Sequence, residues 1–235
     1  MTRATLAQTK TGQRASIGIR NVLLICGILS SLLYVYTDIA AALRWEGYSY
    51  TSQAVSELEA IGAPTRPFLV SLFSVCGVLS VAFGVGVLAS AGRKWSLRVT
   101  GILLIVFDIV GELTLLFFPM HLRGGTGSLS DTMHIVLSSV LALSTLLFVG
   151  FGAAAFGKRF RLYSMGTIVI LLIFGALAGM NGPRLAANLP TPWLGVMERV
   201  NIYSSMLWMA VLAVTVLRAS RSRDDIAQKA GHSPR

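Results

Sequence analysis

"VTGILLIVFDIVGELTLLFFP", residues 99–119, decides the fold. Its run of Leu, Ile, Val and Phe is interrupted by two ionisable side chains, Asp108 and Glu112, and it stops on Pro119. Roughly 20 mostly apolar residues cover the about 30 Å of bilayer hydrocarbon as an α-helix, so the stretch reads as a transmembrane span. Working outward, five more stretches meet the same requirement, at about 21–43, 67–91, 132–156, 162–181 and 194–217. Composition agrees, because the 235-residue chain is 54% hydrophobic and 13% charged, against about 25% charged in a soluble globular domain. The sequence therefore predicts an all-α polytopic membrane protein, a six-transmembrane-helix bundle in one domain over 19–218. Residues 1–18 read as a cytoplasmic N-terminal segment and 219–235, almost without apolar content and including His232, as a disordered cytoplasmic tail.

Charge sets the predicted orientation. Of the 20 Lys and Arg, all but Arg44, Arg66, Arg123, Arg184 and Arg199 fall on one side of the spans. The positive-inside rule makes that side cytoplasmic, which gives an N-in/C-in protein of a bacterial-type cytoplasmic (inner) membrane. The net charge of +10 is then topology and attraction to anionic headgroups rather than nucleic-acid binding. The lipid bilayer is the partner this names; a homo-oligomer or a membrane-protein partner is left open. The first apolar run is longer than the roughly 7–15 residues of a signal-peptide core, so it reads as an uncleaved helix. Cys26 and Cys76 lie inside spans and suggest no disulfide framework. Gly175 and Gly179, four apart, permit a close helix contact.

The outer connections carry the polar chemistry. In "RWEGYSYTSQAVSELEAIGAPTRP" (44–67), Ala54, Val55, Leu58 and Ile61 recur with helical period while Ser52, Glu57 and Glu59 point elsewhere. This predicts a short interfacial helix in the first outer loop, ended by Gly62 and Pro64. "NGPRLAANLPTPWLG" (181–195) is punctuated by three prolines, and its Trp193 suits the headgroup level.

Ionisable residues inside a span cost about 2.5–3.5 kcal/mol each at the helix centre and tend to face a protein interior. Tyr34 with Asp38, and Asp108 with Glu112, are four apart and share a face; Asp131, His134 and Ser138 form a stripe, as do Glu198, Asn201, Ser205 and Trp208. These faces predict an outward-opening polar pocket between the first, third, fourth and sixth spans, roofed by residues 44–66 and 120–130. Its candidate residues are Asp38, Asp108, Glu112, His121, Arg123, Asp131, His134, Glu198 and Arg199. Acids outnumber arginines there, which invites a cation, whether metal or proton. The preferred reading is a small-ligand, proton or ion binding protein of transport-like character, since no nucleophile is paired with a base and no P-loop, HExxH or GxSxG occurs. An alternative is a metal-dependent intramembrane lipid hydrolase with zinc on His121, Asp131 and His134, and Glu112 or Glu198 as further ligand or base. A third is a structural or assembly protein, in which Arg123, Arg184 and Arg199 pair with Glu198, Glu57 and Asp131 while Asp131 caps the fourth span.

Four motifs in order, "GYSYTSQAVSELEAIGAPTRP" (47–67), "FPMHLRG" (118–124), "DTMH" (131–134) and "GVMERV" (195–200), resemble the six-helix prokaryotic integral membrane family catalogued as domain of unknown function 998. The resemblance covers about residues 18–217. It implies a six-span bundle with Ser56, Glu57, Pro119, His121, His134, Glu198 and Arg199 at motif positions, and Tyr48 within the outer-loop motif. It brings no activity with it.

Overall fold

The computed structural model describes the backbone of residues 3–123 and 127–230 and the side chains of 16–123 and 127–222. Among the described residues the regular structure is helical: α1 (Arg3–Arg44), α2 (Val55–Leu58), α3 (Arg66–Ser90), α4 (Trp95–Phe117), α5 (Leu129–Ala155), α6 (Lys158–Gly179), α7 (Gly182–Ala186) and α8 (Leu194–Ala230). Six of these, all but α2 and α7, are long and apolar enough to cross a membrane. Local chemistry places their ends. Pro67 occupies the first turn of α3, where its missing N–H costs nothing. Gly92 takes a φ of 53° in the tight turn from α3 to α4.

Neighbours along the chain are neighbours in space, and α8 closes the ring by packing on both α6 and α1. Helices α3 and α4 approach closely, since a Cβ on Gly101 would sit 3.0 Å from the Gly84 carbonyl oxygen. At the pair singled out in the sequence, Gly175 lies against the Asn201 amide while Gly179 has nothing within 4 Å. Two apolar clusters fill the bundle. The one toward the chain termini includes Leu24, Phe83, Leu104, Phe148, Trp208 and Leu212, and the Trp208 indole N–H donates to Ser164 Oγ at 2.9 Å. The other, at the opposite end, includes Ala41, Val55, Leu58, Leu69, Phe73 and Leu115, with Tyr34 stacked on Phe73 at 4.3 Å between ring centroids. We call that second end the capped end, because the 45–63 loop folds down over it.

Two expectations change. The helix expected to lie on the interface is a single turn, α2, whose Val55, Glu57 and Leu58 are all buried. It plugs the bundle instead, because Val55 and Leu58 join the apolar cluster beneath it while Glu57 is paired with Arg123. The tail from 219 is helical to Ala230 rather than disordered; its Arg, Ala, Gln and Lys are good helix formers, and they extend the last span. His232 lies outside the described residues.

Candidate functional site

Asp38, near the capped end of α1, is fully buried, as is Arg199, which is 3% exposed. They meet as a bidentate pair: Arg199 Nε donates to Oδ2 at 2.8 Å and Nη2 to Oδ1 at 2.9 Å. The other guanidinium hydrogens are also taken. Nη1 donates to the Tyr50 carbonyl at 2.7 Å, with the Gln53 and Gly195 carbonyls at 3.3 Å, and Nη2 donates to the Tyr48 hydroxyl at 2.9 Å. The Tyr50 ring lies under the guanidinium, 3.6 Å from its centroid, which adds a cation–π contact. Tyr203, one turn along α8 from Arg199, donates to Asp38 Oδ2 at 2.5 Å and lies 2.8 Å from the Tyr50 hydroxyl. Burial pushes the Tyr48 phenol well above its usual range, despite the opposing pull of Arg199. It therefore keeps its proton and donates to the Ala54 carbonyl at 2.7 Å. Gly195 makes the close approach possible, since a Cβ there would sit 2.4 Å from the Tyr50 and Gln53 carbonyl oxygens.

A second bidentate pair sits above the first. Glu57, fully buried, accepts from Arg123 Nε and Nη2, both at 2.9 Å, from Gln53 Nε2 at 3.0 Å and from the Ala54 N–H at 3.0 Å. Arg123 also donates to the Ser52 carbonyl at 3.0 Å and to Thr191 Oγ1 at 2.6 Å, so it ties together three loops. Glu198 accepts from the Val55 N–H at 2.7 Å, which fixes α2 on the first turn of α8. Glu59 is the exception in the cap. Burial first and the nearby Glu198 charge second raise its carboxyl to about 8, against the pull of Arg66.

The α4–α5 hairpin is tied down in its own way. Ile61 N–H donates to the Met120 carbonyl at 2.8 Å, joining the hairpin to the cap loop. Ser128, not Asp131, is the N-cap of α5: its Oγ accepts from the Asp131 N–H at 3.2 Å, and Asp131 returns a bond to the Ser128 N–H at 3.0 Å. This reciprocal capping box leaves Asp131 Oδ1 for the His121 N–H at 2.7 Å and Nδ1 at 3.1 Å. His134, 8% exposed, places Nδ1 3.0 Å from the Phe118 carbonyl, so it donates there and holds the end of α4. Among the described residues no three His, Cys, Asp or Glu side chains converge as metal ligands, so this hairpin does not fit the three-ligand zinc centre considered for His121, Asp131 and His134.

Asp108 and Glu112 lie elsewhere, in a cleft of about 320 Å³ between α3 and α4. Ser74, Gly77, Asp108 and Glu112 supply its polar part, and Val78, Val81, Ile109, Leu113 and Phe117 its apolar walls. Ser74 Oγ donates to Glu112 Oε1 at 2.5 Å. Gly77 leaves room for the other oxygen, since a Cβ there would come within 3.2 Å of Oε2. Asp108 Oδ2 is buried with no hydrogen-bond partner, and the hydroxyl of Ser80, which acts on Asp108 from α3, lacks one too. No basic side chain lines the cleft. Ionisable groups that feel these carboxylates include Cys76 on α3, which feels Asp108, and Glu59 in the cap, which feels Glu112 and also Arg66.

The model of a family described as a protein of unknown function, DUF998, matches residues 28–215. The chain belongs to the DUF998 family. No curated protein and no solved structure matches it.

In this DUF998 protein the nine residues proposed for one pocket are shared among three places. Asp38 and Arg199 meet in the cap, with Glu198 beside them and Arg123 above on Glu57; His121, Asp131 and His134 order the hairpin; Asp108 and Glu112 form the cleft. Arg123 pairs with Glu57, one of the three acids expected to meet the outer arginines. Arg199 turns to Asp38 instead, and Arg184 Nε donates to the Pro190 carbonyl at 2.9 Å. The stripe on the last span points into the bundle: Asn201 Nδ2 donates to the Leu171 carbonyl at 2.8 Å and Trp208 to Ser164. Sequence reasoning missed Tyr50, Tyr203, Gln53, Thr191, Ser74 and Gly77. Only Tyr203 carried a usable signal, four residues after Arg199 and so on its face.

Proposed function

We propose that this DUF998 protein binds a cation, the proton included, at membrane depth in the α3–α4 cleft, as a transport-like protein whose cap is a permanent closure. The distribution of its basic residues supports cytoplasmic termini in a bacterial-type inner membrane. One observation carries the reading: Asp108 offers a buried carboxylate oxygen without a partner, one helical turn from Glu112, in a cleft no basic residue lines. Asp108 lies about 14 Å along α4 from its Phe117 end at the 1.5 Å rise per residue. A carboxylate that far from water is neutralised by a proton or a bound cation. The cap supports a structural role by contrast, since both of its buried carboxylate–arginine pairs are satisfied by groups within the chain.

Dicyclohexylcarbodiimide, an apolar reagent that adds to protonated carboxyls, tests this. Mass spectrometry of the treated protein is expected to find adducts on Asp108 or Glu112, fewer of them at about pH 9 than at about pH 6, and none on Asp38 or Glu57. Absence of adducts in the cleft, or equal labelling of Asp38 or Glu57, would sink the reading.

A further inference from the structure

We infer that the occupant of the cleft is a lipophilic organic cation, an N–H-bearing ammonium group on an apolar body, which enters sideways from the hydrocarbon of the bilayer. This rests on the cleft being a cation site and names the class of cation. The opening lies on the flank of the bundle. Val78 and Phe117 on its rim are 71% and 66% exposed, where the outward face of α3 and α4 meets lipid. An ion arriving from water would have to shed its shell at that apolar rim.

Size and donor chemistry point the same way. A cleft of about 320 Å³ is in the range of small-molecule sites, roughly 300–1,000 Å³, whereas an inorganic ion needs little volume and many oxygens. Calcium takes about six to eight and magnesium about six. Here the polar donors are the two carboxylates and the Ser74 hydroxyl, with hydrocarbon around them. An ammonium needs one counter-charge, an acceptor for its N–H and apolar contact for its body, and all three are present. Glu112 is held in place by Ser74 and given its space by Gly77, so its position is preset. Asp108 Oδ2 is the unfilled acceptor in the cleft lining.

The test uses the full chain in lipid nanodiscs and tritiated 1-adamantylammonium, a compact apolar body bearing one ammonium, with empty nanodiscs subtracted. Saturable binding of about one per chain is expected, weakened at least about tenfold in Asp108→Asn. Neutral 1-adamantanol, 1-adamantanecarboxylate, sodium chloride and calcium chloride are not expected to compete. Val78→Trp, at an exposed rim position, narrows the mouth without touching a carboxylate and is expected to weaken binding too, so the question stays open to test even where Asp108→Asn fails to fold. Binding that survives both substitutions overturns the proposal, as does displacement by calcium or sodium, which would make the occupant an inorganic ion. Carbodiimide labelling of Asp108 or Glu112 without saturable adamantylammonium binding leaves the cation reading standing and removes the lipophilic occupant. Loss of both removes both.

Discussion

The cap buries Asp38 and Glu57 completely, the cleft leaves Asp108 and Glu112 partly covered, and the two places treat their carboxylates in opposite ways. In the cap, Asp38 and Glu57 each receive a bidentate arginine and further donors, so each charge is matched where it sits. In the cleft, Asp108 and Glu112 share one helix face, one hydroxyl donor and no arginine. Satisfied buried charges specify a geometry and resist change. Unsatisfied ones leave a vacancy of charge that something from outside must fill. The difference teaches that an acidic residue in a membrane span is not by itself a functional sign; the sign is the partner that the chain withholds.

The sharpest way to break the comparison is to remove a cap arginine. Arg199→Met strands Asp38 in a site of 0% exposure and is expected to cost about 3–5 kcal/mol, read as thermal unfolding in detergent, while the double change with Asp38→Leu recovers most of it. A double variant as unstable as the single one would mean that the two residues are not coupled. Arg123→Met should cost somewhat less, about 2–3 kcal/mol, because its guanidinium is 18% exposed and water can reach part of the gap. Glu59→Gln sharpens the contrast inside the cap. Because the folded-state carboxyl sits at about 8, above the ordinary 4.5, the folded chain keeps a proton that the unfolded chain has released. Stability of the parent therefore falls as pH rises from about 5 to about 8, and the Gln variant should show a flatter melting-temperature profile across that window. The smallest effect is expected in the cleft: Asp108→Asn removes a charge with no internal partner and should leave stability unchanged or raised within about 1 kcal/mol. A loss as large as that of Arg199→Met would show that Asp108 belongs with the structural carboxylates.

Much of this was legible in the chain. The six spans follow from runs of apolar residues long enough for a bilayer, although the first helix starts well before its apolar stretch and the last runs well past its own. The acids were also legible as costly residues. Their grouping was not, because spacing along one helix gives a face but not the neighbour that the face meets. Asp38 and Arg199 are 161 residues apart, and no local pattern links them. Nor could periodicity reveal that α2 buries its acid: Glu57 looks solvent-facing until Arg123 arrives from the opposite loop. Gly77 is a further case, one small residue among 23 glycines, marked only by the carboxylate it makes room for.

The two arginine clamps also impose an order on biosynthesis. Asp38 enters the membrane with the first span, but its partner is made 161 residues later, and Glu57 waits 66 residues for Arg123. Until the last span arrives, the growing chain carries a bare Asp38 carboxylate at its capped end, and a ribosome-stalled or truncated product never loses it. A protease or chaperone that recognises intramembrane charge could sort finished chains from unfinished ones by this feature alone, with closure of the cap as the mark of completion.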